Sequence, residues 1–202
     1  MEIEKHQNEE RIFSSDTFWK TFILKAHTSI KTEQKILDFK ETLDMWQAPK
    51  GLGKKETKHR FAELVAGFAN NQGGVIIVGV TDSQPRKIVG IGNDSKTIEN
   101  EMKYTRSTIS NYIEYDSEFV HLQQVVIPGE NDNEILCLVI AIRQTRSRVG
   151  VKSLDGRSYS YPFREETGLV WKDPEKISSM KIHIKHNNYD FLNRLSQFIL
   201  EA

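Results

Sequence analysis

The chain has 202 residues and balances 28 Lys and Arg against 28 Asp and Glu, so a polyanionic partner has to be met by a local patch and not by an overall field. That length can bury a sizeable core, and it favours one domain with helical additions over two equal domains. The single cysteine, Cys137 within ILCLVIAI, excludes a disulfide framework and a Cys-based zinc site and reads as a buried core thiol. No apolar run approaches membrane-spanning length, and the charged N-terminus MEIEKHQNEER lacks an apolar signal region. A cytoplasmic setting with no membrane partner is therefore expected.

In chain order, residues 1–12 are expected to fray, and Ser14-Ser15-Asp16 offers an N-cap for a helix carrying Phe18, Trp19, Phe22 and Ile23. Residues 36–40 read as a short strand with Leu37 and Phe39 on one face and Ile36, Asp38 and Lys40 on the other. Two charges on that second face suggest an exposed or functional surface. QAPKGLG at 47–53 is a Pro- and Gly-rich loop that lacks the GxxxxGK[ST] spacing, which rejects a Walker-type nucleotide site.

Phe61, Leu64, Val65, Phe68 and Ala69 make one apolar helical face. Asn70, Asn71, Gly73 and Gly74 then supply residues that tolerate positive φ and stop the helix. Val75 to Val80 alternates too little for a strand with one wet face, so a central strand covered on both sides is expected. It delivers Thr81 and Asp82 to an edge of the core, where a site would lie. A hairpin partner at 87–91, a long helix at about 95–115 and strands near 119–127 and 134–143 follow, the last two separated by the turn residues Asn131-Asp132-Asn133. RSYSYPFR at 157–164 supplies a further strand, held to an edge by Pro162. Pro174 opens a short helix, and residues 189–201 read as a terminal amphipathic helix. The sum is an α+β fold: a mixed, largely antiparallel sheet flanked by helices, with an N-terminal helix and a C-terminal helical tail.

The pattern at 64–82, LVAGFANNQGGVIIVGVTD, followed by Ile88-Val89-Gly90-Ile91, resembles the Schlafen-type AlbA-like nucleic-acid-binding domain. Leu37-Asp38-Phe39-Lys40 matches the Glu-Phe-Lys strand of that family, with Asp in place of Glu. The resemblance spans residues 30–172, leaving 1–29 as an N-terminal extension with a helix and 173–202 as a C-terminal helical tail. In RNA-cleaving Schlafen-like proteins an acidic trio forms the active site, and Glu33, Asp38 and Asp82 stand at the corresponding places. The resemblance thus implies a catalytic set of Glu33, Asp38, Asp82 and Lys40, the three acids holding Mg²⁺ or Mn²⁺. Such ions suit oxygen ligands and phosphodiester cleavage. A five-residue offset puts Glu33 and Asp38 on opposite faces of an unbroken strand, so Glu33 has to approach from a turn. Against this stands the plain alternative that acids at strand ends are solvated or pair with a lysine, and Lys40 shares the face of Asp38.

Lys54, Lys55, Lys58 and Arg60 crowd the start of a helix, where the macrodipole favours acids; the arrangement makes sense if phosphates arrive there. Arg143, Arg146, Arg148 and Lys152 form a second basic cluster. Arg157 and Arg164 flank Tyr159, Tyr161 and Phe163, a mix of phosphate-holding cations and rings that stack on unpaired bases, or equally a solubilising surface over buried tyrosines. The histidines His59, His183 and His186 read as structural or solvated.

By resemblance the first expectation is a metal-dependent endoribonuclease acting on tRNA or another structured RNA. The alternatives are a non-catalytic DNA- or RNA-binding regulatory module, or an assembly or sensor component whose terminal helices recruit a protein partner or a second copy.

Overall fold

The structure is a computed structural model that describes residues 14–29, 36–43, 53–92, 95–114, 117–129, 133–145, 147–165, 168–171 and 195. The N-terminal stretch 1–12 and the expected helices after Pro174 and at 189–201 fall outside the described residues, save Leu195, which is helical and buried.

Helix α1 (Asp16–Ser29) opens on Ser15, whose Oγ accepts the Phe18 N–H at 3.3 Å, the expected cap. Strand β1 (Leu37–Lys40) leads to helix α2 (Lys54–Ala69) and strand β2 (Gly74–Val78). Helix α3 (Ser95–Tyr112), a 3₁₀ turn (Ser117–Phe119) and strands β3 (Val120–Pro128) and β4 (Glu134–Ile142) complete the first layer of chain. Among the described residues these strands make a four-stranded sheet in the order β1-β2-β4-β3. β1 and β2 run parallel, while β2–β4 and β4–β3 are antiparallel, so the fold is α+β with a mixed, mostly antiparallel sheet.

Both faces of the sheet are covered, which is why β2 and most of β4 are unbroken apolar runs. On one face, Trp19, Phe22, Ile23 and Ala26 of α1 pack with Leu37, Phe39, Val75, Ile77, Val125, Val139 and Leu195. On the other, Phe61, Val65 and Phe68 of α2 and Ile98 and Ile109 of α3 pack with Ile76, Val78, Leu138, Ile140 and Ile142. Each Val, Leu, Ile or Phe among them contributes about 1.5–3 kcal/mol when fully buried. The apolar stripe of α1 is therefore consumed by the sheet, and Leu24 is the large hydrophobe it leaves exposed. Cys137 is buried on the α1 side, and burial pushes its thiol up to about 12; it is an inert core residue.

Two small hairpins follow. β5 (Val151–Lys152) pairs with β6 (Tyr159–Ser160), and β7 (Pro162–Glu165) pairs with β8 (Gly168–Trp171). The expected strand at 157–164 is thus broken at Tyr161, and Pro162 begins β7 in a two-stranded ribbon, consistent with its missing N–H. The hairpin expected after Asp82 is reduced to one bridge, Val80–Ile88, because Thr81 to Lys87 close as a turn.

The end of α2 shows why its residues are small and polar. Gly73 has φ +74°, the left-handed conformation that glycine takes without strain. At Gly67 a Cβ would run into the Leu169 side chain and stand 3.3 Å from the Arg164 nitrogen, so its absence lets α2 lie against the β7–β8 ribbon. Asn70 is not a positive-φ stop: it sits at φ −75°, and its amide does different work. Nδ2 donates to the Val149 and Pro162 carbonyls, each at 2.9 Å, and Oδ1 accepts the Val149 N–H at 2.7 Å. Asn71 Nδ2 likewise donates to the Arg164 carbonyl. These two amides fasten the hairpins to α2.

Candidate nucleic-acid interface

The start of α2, the end of α3 and the β5–β6 hairpin enclose a groove of about 470 Å³. Lys54, Lys55 and Lys58 line it from α2, Asn111 and Tyr112 from α3, and Lys152 and the turn Ser153 to Gly156 from the hairpin. Local bonding fixes each wall. The Glu56 carboxylate accepts the Gly53 N–H at 2.8 Å and caps α2. Lys55 Nζ donates to the Leu154 carbonyl at 2.6 Å, joining helix start to hairpin tip, and the Tyr112 hydroxyl reaches the Lys55 carbonyl at 3.5 Å. Desolvation raises the Tyr112 phenol, so it stays protonated. Lys58 reaches across to α3, its ammonium 5.6 Å from the centre of the Tyr104 ring.

Asp155 is the carboxylate in this lining. It is exposed and turned into its own loop, accepting from Ser153 Oγ at 2.6 Å and from the Arg157 N–H at 3.1 Å. Those two bonds, in that order, hold its carboxyl below the usual range. The groove consequently opposes four ammonium groups to one engaged carboxylate, a concentration of positive charge in a chain of zero net charge. It can hold phosphate oxygens of a polyanion.

The two basic clusters seen in the sequence are redistributed by the fold. Arg60 is exposed but outside the groove lining, and Lys152 leaves the second cluster to join the first. Arg143 and Arg148 are half-buried away from the groove; Arg146 lies outside the described residues. Arg164 is half-buried with its guanidinium 5.5 Å from the Phe68 ring, so it packs on the core. Arg157 is exposed in the hairpin turn, Tyr159 is 40 % exposed and Tyr161 is half-buried. His59 packs edge-on to Tyr112 and stands 3.6 Å from Glu63, a structural contact.

A second polar cluster sits at the sheet end. β1 and β2 are in register with Asp38 beside Ile76 and Lys40 beside Val78. Just beyond, the Gly79 and Val80 N–H groups both donate to the Lys40 carbonyl, at 2.8 and 3.3 Å. The Thr81–Lys87 turn, closed through Thr81 Oγ1, then projects Asp82. Lys40 Nζ stands 3.0 Å from Asp38 Oδ1 and 3.6 Å from Asp82 Oδ2. The face expected to be exposed is not uniformly so: the Asp38 side chain is 2 % exposed, against 32 % for Lys40 and 57 % for Asp82. The β2 residues in register with that face, Ile76 and Val78, pack in the core with α2 and α3, and a carboxylate as buried as Asp38 requires charge-assisted partners.

Glu33 lies outside the described residues, and among the described residues no group of three His, Cys, Asp or Glu is placed to hold a metal ion. The oxygen donors of Asp38 and Asp82 suit a hard divalent cation. An ion bridging them would have to displace the Lys40 ammonium.

The groove and the Asn70 clamp could not be read from residue types alone. The cross-strand pairing of Lys152 with Tyr159 depends on a two-residue strand, too short for any periodic signal.

Comparison with known proteins gives the following. The profile of the Schlafen, AlbA_2 family matches residues 33–167. No curated protein matches the chain. Among solved structures, the DIP2311 protein from Corynebacterium diphtheriae is 19 % identical with a TM-score of 0.44, over 76 % of this chain and 26 % of that one. The chain therefore spans about a quarter of that protein's length. Among the described residues no helix is long and apolar enough to cross a membrane.

Proposed function

The chain belongs to the Schlafen, AlbA_2 family, a membership that points to nucleic acid as the ligand, and we propose that it grips a phosphate backbone in the groove between α2, α3 and the β5–β6 hairpin. The observation that carries this reading is the convergence of Lys54, Lys55, Lys58 and Lys152 on one recess. RNA with tRNA-like structure is the first ligand to try, and DNA the second. The test is a titration of the full chain across salt concentrations. With four phosphate contacts, log K should fall with log salt at a slope of about −3.6 on duplex and about −2.8 on single strands. An affinity indifferent to salt would remove the reading.

A metal-dependent endoribonuclease is the second reading, favoured by the meeting of Asp38 and Asp82 at Lys40. Asp38, Asp82 and Glu33 would hold Mg²⁺ or Mn²⁺, which supplies charge neutralisation and an activated water. Lys40 would then face a phosphate. Incubation of structured RNA with and without Mn²⁺ checks this. The expected outcome is metal-dependent cleavage that Asp82→Asn abolishes while sparing affinity. Cleavage that persists in Asp82→Asn removes Asp82 from the catalytic set, and no cleavage in the native chain leaves a non-catalytic binding module.

A further inference from the structure

We infer that the ligand of the lysine groove is an unpaired strand, with one base stacked on the Tyr159 ring; this rests on the nucleic-acid reading above and adds the strandedness of what is bound. Lys152 and Tyr159 are directly opposed in the β5–β6 pair, so their side chains leave the same face of the hairpin, with Cβ atoms about 4.5–5.5 Å apart. One of the two lines the groove and the other is a 40 % exposed aromatic.

Gly150 explains the seat of that ring. A Cβ at this position would lie 3.2 Å from Tyr161 Cε1 and 3.3 Å from both Tyr159 Cδ1 and Glu114 Oε2, so both rings rest against bare backbone beside the Glu114 carboxylate, with Tyr159 the more exposed. An aromatic held this way beside a cation offers a π face one nucleotide away from a phosphate contact. Bases within a duplex are already stacked on their neighbours, so only an unpaired base can use that face. The recess, at about 470 Å³, is also of the size that encloses a small ligand and not a double helix.

Fluorescence anisotropy with a labelled single strand of about 12 nucleotides, and with the duplex of the same sequence, tests the inference. The native chain should bind the single strand more tightly. Tyr159→Ala should weaken single-strand binding about tenfold while leaving duplex affinity unchanged and lowering the melting temperature by no more than about 2–4 °C, and Tyr159→Phe should restore the native value. Equal affinity for both forms, an unaffected single strand in Tyr159→Ala, or equal losses on both forms would overturn it. Displacement of the strand by adenosine monophosphate at comparable concentration would also overturn it, assigning the recess to free nucleotides. Binding to neither form would instead be a failure of the nucleic-acid reading itself.

Discussion

Replacing Lys54, Lys55 and Lys152 together by alanine should lower nucleic-acid affinity by about two to three decades at roughly 0.1 M salt, and flatten the salt slope by about 2 to 3. Each phosphate contact releases condensed counterions, and that release accounts for about 0.9 decade of affinity per decade of salt below 1 M on duplex. The three residues come from two elements that are remote in sequence, with Lys55 and Leu154 separated by 99 positions. Their effects should therefore combine only if the groove is one site. All three are exposed, so stability should change by no more than about 0.5 kcal/mol per residue. Lys55 is the exception to watch, because its ammonium holds the Leu154 carbonyl. A Lys54→Ala and Lys152→Ala double variant keeps that bond and should still lose about two decades of slope-linked affinity. An unchanged slope in either variant would show that phosphates bind elsewhere.

The helix and strand on either side of the Gly-Gly turn were legible because their apolar spacing leaves little choice. Phe61, Val65 and Phe68 can share a face only in a helix, and Val75 to Val78 can be buried throughout only in a strand covered on both sides. The crowding of Lys54, Lys55 and Lys58 at a helix start was equally plain, since adjacency along a helix is adjacency in space. Lys152 was grouped with the wrong neighbours for the complementary reason. Its place is set by a hairpin that folds back over α2, and no local pattern encodes that return. The burial of Asp38 was missed because alternation along β1 reports faces, not what covers them. The parallel pairing of β1 with β2 sets that face beside Ile76 and Val78, which belong to the core shared with α2 and α3. The expected strand at 87–91 gave way to turn chemistry at Thr81 to Lys87, where the Thr81 hydroxyl takes the Lys87 N–H.

Asn70→Ala should destabilise the fold by about 2–4 kcal/mol, judged from the cost of about 1–3 kcal/mol for each buried polar group left unsatisfied. The amide makes three hydrogen bonds, to the Val149 N–H and to the Val149 and Pro162 carbonyls. Val149 and Pro162 are buried, so water does not readily replace the lost partner. Asn70→Asp is the sharper variant: it keeps an acceptor for the Val149 N–H but sets a carboxylate against two carbonyl oxygens. Its cost should equal or exceed that of alanine. Urea unfolding with an unchanged m-value would assign the loss to the native state. The same substitution also bears on function, because Asn70 ties α2 to the segment leading into β5, which carries Lys152, and to the start of β7. In the fraction that remains folded, affinity should therefore fall as Lys152 and Tyr159 lose their position beside the α2 lysines. A loss of stability below about 1 kcal/mol would mean that the hairpins are fastened by Gly67 packing and the Asn71 bond instead.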